Sequence, residues 1–452
     1  MIRSDSSRTR SVAAAAVLVG AFSASAAERE LDSDPPPSST REIESPIQRV
    51  FPRLVRKEPL FPRVREQLEK LPPFFADTQL EARFRSYYLR KDRTTDALSE
   101  AWAMGGSVHY HSGWLADAFS VELEGFTSQP IVADEDRGET TLLEPIQEGY
   151  NALGIANAKL RHRGLVLTGY RQYLDLPYLN RQDSRMTPNT FESLTLAKPE
   201  GELRFSTGYT WKIKPRNSDD FVSMTESLGL DKKRGLAHGG IVWDPDEDFH
   251  IGAIAGVLPD VSAGFYTELG FVRNLTDQIE ARIDTQFTYR HSIGDELLAD
   301  EPTEAWNLGI RGSSSWRGAV FRLGVSVTSP DGSVKNRFGS NPSYVDLMQR
   351  AFNLPDEKAL LASVSYDFAG IGVDGLTVIA NFVAGFDGKL EAGRRDSQEI
   401  DVTLDYRIKR GLLEGFLEGF WLRLRGSFLT DDAADRDGTD FRVIVRYDFP
   451  VI

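Results

Sequence analysis

The chain has 452 residues, 40% of them hydrophobic, a formal net charge of −14 and no cysteine. The acidic balance argues against a nucleic-acid partner, and the absence of thiols excludes disulfide stapling, thiol catalysis and Cys-ligated zinc. No run of about 18 apolar residues occurs, which excludes a membrane-spanning helix but not a barrel, whose strands need only about 9–11 residues, alternate ones polar.

Arg3, Arg8 and Arg10 precede an apolar stretch from Val12 to Phe22, and Ala24, Ser25 and Ala26 offer small residues for cleavage. That is the layout of a secretory signal peptide over residues 1–27. Residues 28–73 are compositionally separate. DPPPSS at 34–39 cannot pack, and six further prolines follow among Arg, Lys and Glu; the segment reads as a disordered periplasmic extension. Residues 63–71 would make about two turns of helix, marginal if isolated.

From 74 to 452 the chain alternates apolar and polar residues between short turns bearing Gly, Asp or Pro. In QLEARFRSYYLRKD (79–92), Leu80, Ala82, Phe84 and Tyr88 share one face, and Glu81, Arg83, Arg85 and Tyr87 the other. AWAMGGSVHYH (101–111), LRFSTGYTW (203–211) and IEARIDTQFTYR (279–290) behave alike. The period is clearest at the end. WLRLRGSF (421–428) sets Leu422, Leu424 and Phe428 against Arg423, Arg425 and Ser427. FRVIVRYDF (441–449) sets Phe441, Val443, Val445, Tyr447 and Phe449 against Arg442 and Arg446. Period two means β-strand.

A soluble sandwich and a membrane barrel share this alternation, turned inside out. The export signal and the absence of linkers after Pro73 favour the barrel. So do aromatics near strand ends, where interfacial girdles stand: Tyr87, Tyr88, Trp102, Trp211, Trp243, Trp306, Trp316 and Trp421. A propeller would repeat about every 40 residues, and no such repeat occurs. The fold class is all-β, a transmembrane antiparallel β-barrel. Dividing roughly 380 residues by about 20 per strand and connection gives about sixteen to twenty strands.

Inward polar positions then become candidates for a solute path. Arg423 and Arg425 sit two apart, about 7 Å along one strand, and Arg442 comes from the next. Arg161 with Arg163, and Arg83 with Arg85, form two more such pairs. A closed barrel brings the first strand beside the last, so the arginines of both ends belong to one wall. Glu81, Asp284, Asp401 and Asp405 are inward carboxylates able to pair with them. Arginine suits a channel because it stays charged and offers a carboxylate a planar fork.

His109 and His111 share a face but lack the further ligands that zinc needs. No HExxH or GxSxG motif occurs. Asp183 and Ser184, being adjacent, point to opposite faces of a strand, so no nucleophile–base spacing supports catalysis. Neither metal nor cofactor is expected.

Several stretches resemble the OprD family of outer-membrane porins. They are DTQLEARFRSYYLRKD (77–92), EAWAMGGSVHYHSGW (100–114), RQYLDLPYLNRQDSRMTPNTFESLTL (171–196), residues 341–378, and WLRLRGSF. The long N-terminal extension, and SGWLADAF at 112–119, depart from the family pattern. The resemblance implies an eighteen-stranded barrel, monomeric or loosely trimeric, with loops folded inward and an arginine ladder on one wall. It makes Arg171, Asp183, Ser184 and Arg185 constriction candidates, with Pro177 and Pro188 stiffening the loop. The alternating last strand is similar to the signal by which bacterial barrels reach their assembly machinery. The function expected is passive diffusion of small anionic or zwitterionic solutes across a Gram-negative outer membrane, among them amino acids, aromatic acids and sugar acids. One alternative is a porin for neutral oligosaccharides such as chitooligosaccharides, with aromatic stacking in place of charge. Another, an outer-membrane serine hydrolase, has no motif behind it.

Overall fold

The computed structural model describes residues 58–452 apart from 95–97, 299–303, 336, 391–392, 409–416 and 433–435. The signal peptide and the first part of the Pro-rich extension lie outside the described residues.

The alternating stretches form eighteen strands of one closed barrel. The first six are β1 Gln79–Arg93, β2 Ser99–His111, β3 Phe119–Val132, β4 Tyr150–His162, β5 Leu165–Gln172 and β6 Thr190–Lys198. Next come β7 Leu203–Lys214, β8 Leu236–Trp243, β9 Phe249–Leu258, β10 Ser262–Thr276, β11 Ile279–Ser292 and β12 Glu304–Trp316. The last are β13 Ala319–Thr328, β14 Lys358–Asp367, β15 Leu376–Leu390, β16 Gly393–Arg407, β17 Phe420–Asp431 and β18 Gly438–Pro450. Each strand pairs antiparallel with the next, and β1 pairs antiparallel with β18 from Glu81↔Pro450 to Arg93↔Gly438. An antiparallel ring closes only with an even number of strands, and closure leaves no unpaired edge for lipid to meet.

The two ends differ. Connections at one end are short, such as 163–164, 277–278 and 317–318. The long ones, 133–149, 173–189, 215–235 and 329–357, all emerge at the other.

Alternation now has a direction. In β13, Phe321, Leu323, Val325 and Val327 are 48%, 65%, 46% and 37% exposed, while Arg322, Ser326 and Thr328 are buried. The apolar face therefore points out to lipid and the polar face into the bore. Two of the expected girdle aromatics break this assignment. Tyr87 and Trp421 are buried inside, because each shares the parity of neighbouring inward arginines, Arg85 and Arg423. Trp102, Trp243 and Trp316 do stand on the outer surface.

The interior is not uniformly polar. Loop residues Leu174, Leu176, Leu179 and Phe338 bury themselves against inward Ile254, Leu258 and Tyr266, so the loops hold an apolar core within the barrel.

Residues 58–78, which overlap the extension expected to be disordered, are folded against the short-turn end. Helix α1 (Pro62–Leu68) and helix α2 (Pro73–Ala76) each start with proline at a first-turn position, where no backbone N–H is needed. Arg65 Nη1 and Nη2 donate to the carbonyls of Thr78 and Ala76, at 2.8 and 2.5 Å. Leu60 N and Phe61 N donate to the carbonyls of Pro450 and Val451. The tertiary partner supplies what so short a helix lacks.

Candidate functional site

Four adjacent strands, β16, β17, β18 and β1, carry the arginines, and their register decides how these line up. Arg407 lies opposite Trp421, Trp421 opposite Arg446, and Arg446 opposite Arg85. That is one row of inward side chains across four strands. Two residues toward the long loops, Asp405 lies opposite Arg423. After two more, Arg425 lies opposite Arg442.

Arg423, Arg425, Arg442 and Arg85 are only 0%, 1%, 2% and 3% exposed, so their charges need partners. Arg423 Nη2 is 2.5 Å from Asp405 Oδ2. Arg442 Nε and Nη2 donate to the two oxygens of Asp440, at 2.8 and 3.0 Å. Arg446 Nε donates to Asp448 at 2.9 Å, and Arg83 Nε to the same carboxylate at 3.3 Å. Asp284, on the far wall, takes Arg282 at 2.7 Å and Arg311 at 3.1 Å. The wall is thus a basic stripe threaded with fixed carboxylates.

Two loops cross the bore and meet in it. In the loop 173–189, Asp183 accepts from Arg85 through both oxygens, Oδ1 from Nη1 at 2.7 Å and Oδ2 from Nη2 at 3.0 Å. Tyr87 Oη donates to the Ser184 carbonyl at 3.3 Å, and Ser184 Oγ accepts from Arg216. On the opposite side Tyr178 Oη donates to Thr288 Oγ1 of β11 at 2.8 Å. The loop therefore spans from β1 to β11. Burial pushes the Asp183 carboxyl up, but the Arg85 guanidinium, with Arg83 behind it, outweighs this and holds it below the ordinary carboxylate range.

The loop 329–357 comes from the other side. Met348 N and Gln349 N donate to Asp401 Oδ2 at 3.1 Å and Glu399 Oε1 at 2.8 Å, both on β16. Gln349 Nε2 reaches Ser427 Oγ of β17 at 2.8 Å. Arg311 of β12 stands 4.5 Å over the Tyr344 ring. The two loops lock together where Ser340 N donates to Asn180 Oδ1 at 2.9 Å and Asn180 Nδ2 to the Ser340 carbonyl at 3.2 Å. Gly339 makes the crossing possible, since a Cβ there would collide with the Asn180 side chain.

Of the residues singled out from sequence, Arg83, Arg85, Arg423, Arg425 and Arg442 face the bore on one wall. Asp183 and Ser184 lie in the loop 173–189 that crosses the bore. Arg185 turns aside, its Nε donating to the Thr140 carbonyl at 2.9 Å and to Thr141 Oγ1 at 2.7 Å, so it ties the constriction to the loop 133–149. Arg161 and Arg163 stand apart from this wall, at the β4–β5 turn. Arg161 pairs with Asp117 and lies 4.1 Å over Trp114, and Arg163 adopts a φ of 51° in the turn itself.

Arg171 is not in the constriction. It lies opposite Glu192, on the outward parity it shares with lipid-facing Leu194, with its Nε 3.2 Å from Glu192 Oε1 and its guanidinium 4.1 Å over Phe221. Its neighbour Gln172 takes the inward place. His109 Nε2 lies 2.8 Å from Glu122 Oε1. Sequence reasoning left out Arg407, Arg446, Trp421, Asn180 and Gln349. Parity held the signal for Arg446, which is in phase with Arg442; nothing in the local pattern marks Asn180 or Gln349.

A family model described as outer membrane porin, OprD family, matches residues 72–451. The chain belongs to the OprD family. Among OprD-family relatives, Porin D of Pseudomonas aeruginosa is 20% identical over 415 residues, which cover 84% of this chain and 92% of that protein. The crystal structure of OccK9 (OpdG) from Pseudomonas aeruginosa superposes with a TM-score of 0.77 at 23% identity, covering 83% of this chain and 99% of that one. OpdK of the same organism, solved with vanillate, gives a TM-score of 0.73 at 21% identity, over 83% and 99% of the two chains. OprD-family porins are channels, not enzymes, of the Gram-negative outer membrane, and this porin passes small solutes there.

Proposed function

We propose that this porin passes small solutes bearing a carboxylate, such as amino acids, aromatic acids or sugar acids, along the wall formed by β16, β17, β18 and β1. The observation that carries the reading is the register of that wall. Arg425 and Arg442, then Arg423, then Arg407, Arg446 and Arg85, then Arg83, follow one another down the bore. Successive rows are two residues apart, about 7 Å, so a carboxylate can engage one guanidinium before leaving the last. Asp405, Asp440 and Asp448 compete for the same groups. An arriving anion exchanges with a resident carboxylate rather than falling into an empty well, and a channel needs such weak, multiple contacts. A relative solved with an aromatic acid, vanillate, supports the same class of solute.

Single-channel recording in salt gradients tests the reading. The double variant Arg423→Ala/Arg425→Ala is expected to lower the anion-to-cation permeability ratio and the benzoate flux by about threefold or more. An unchanged ratio with unchanged flux refutes the arginine path. Faster liposome swelling with chitooligosaccharides than with benzoate would favour a channel for neutral sugars instead.

A further inference from the structure

Trp421 stands inside the arginine wall and is 2% exposed. Three guanidinium carbons surround its ring: Arg423 at 4.5 Å, Arg407 at 4.6 Å and Arg446 at 5.6 Å. The register explains the convergence. Arg407 is its partner on β16 and Arg446 its partner on β18, while Arg423 follows two residues along its own strand. The indole Nε1 donates to Asp405 Oδ1, whose other oxygen lies 2.5 Å from Arg423 Nη2.

Like charges so close repel, and carboxylates are the usual remedy, but a carboxylate also cancels the charge. An indole face attracts cations through its quadrupole, and a planar guanidinium stacks on it while keeping its full charge. The same residue's N–H takes Asp405 Oδ1, the oxygen that Arg407 Nε approaches only to 3.6 Å. We infer that Trp421 is a positioning residue for charge selectivity: its ring gathers Arg407, Arg423 and Arg446 and adds no negative charge to that of Asp405 and Asp448, which already pair with them. This rests on the reading of the wall as the solute path.

Two variants test it: Trp421→Leu, which removes both the π face and the N–H donor, and Trp421→Phe, which keeps a weaker face. Each is reconstituted in planar bilayers after its heat-dependent electrophoretic shift confirms a folded barrel. The readouts are the anion-to-cation permeability ratio in a potassium chloride gradient and, in liposomes, the swelling rate with arabinose. The expected result is a graded fall in the ratio, about threefold for Trp421→Leu and less for Trp421→Phe, with arabinose entry unchanged. A wild-type ratio in both variants overturns the inference. So does a parallel fall in ratio and arabinose entry, which marks general distortion of the bore. If Trp421→Leu does not fold, Trp421→Phe decides, and a wild-type ratio in it overturns the inference. Arg423→Ala/Arg425→Ala, run alongside, separates the two claims: if it keeps wild-type selectivity the path itself is wrong, and if it alone loses selectivity only the role of Trp421 is.

Discussion

Asp183 ties the loop 173–189 to the barrel chiefly through the Arg85 guanidinium, and both partners are buried. Removing the carboxylate leaves Arg85 desolvated beside Arg83, which keeps Asp448, a loss of about 3–5 kcal/mol for a buried pair. Asp183→Asn is therefore expected to loosen the loop 173–189, giving larger and noisier single-channel conductance at neutral pH. The pH dependence has a definite sign. Because folding depresses the Asp183 carboxyl, its contribution is complete above the ordinary carboxylate value of about 4 and is lost as pH falls through the depressed one. Wild-type conductance should stay flat from about pH 7 to pH 5 and rise only below about pH 4; Asp183→Asn should already be in the loosened state throughout. A conductance step near pH 6 would assign the loop's anchor to another group. At this scale the sequence was partly legible. Arg423, Arg425 and Arg442 follow from parity, and so in principle does Trp421, which is in phase with them. A tryptophan near a strand end is common at a membrane interface, so position argues for the girdle where phase argues for the bore.

The loops are the least legible elements. A strand advertises itself every second residue, whereas a crossing loop is held by contacts between residues far apart in the chain. Asn180 and Ser340 are 160 residues apart, and Met348 and Asp401 are 53. No local period encodes such pairs. The same holds for α1, where the local sequence offers only a marginal helix and contacts of Leu60 and Phe61 with the end of the chain keep it in place. The acceptors of the loop 329–357 give a direct test of its role. In Glu399→Ala/Asp401→Ala the amides of Gln349 and Met348 lose their partners, each worth about 1–3 kcal/mol when left buried and unmade. Conductance is expected to rise with more frequent gating. Anion preference should rise with it, since an acidic pair leaves the arginine wall. Single-channel records that match wild type in amplitude and noise would mean that the loop is held in the bore by its apolar contacts, Val345, Leu347 and Phe352 against Leu361 and Val383.

For the whole molecule, closure turns alternation into a two-sided solvent problem, one side lipid and one side water. Everything about the arginine path depends on which side is which, and substitutions on one sheet can decide it. Leu323 lies in the middle of β13 and is 65% exposed, and its neighbours across the sheet are Gly312 and Ala362. Arginine there meets hydrocarbon with neither neighbour offering a side-chain acceptor, at a cost of about 2–4 kcal/mol near the bilayer midplane. Ser363, on the adjacent β14, lies opposite Arg322 on the inward face. An aspartate at that position gains a guanidinium partner. Leu323→Arg is thus expected to lower the urea midpoint of the barrel in phosphatidylcholine vesicles, with selectivity unchanged. Ser363→Asp should leave the midpoint close to wild type and reduce anion preference, because it places a new negative charge in the bore. Each variant changes one property and spares the other only if the apolar face meets lipid and the arginines meet water. If instead Ser363→Asp were the destabilising change and Leu323→Arg altered the permeability ratio, the barrel's faces would be exchanged and no arginine of β16, β17, β18 or β1 would touch a solute.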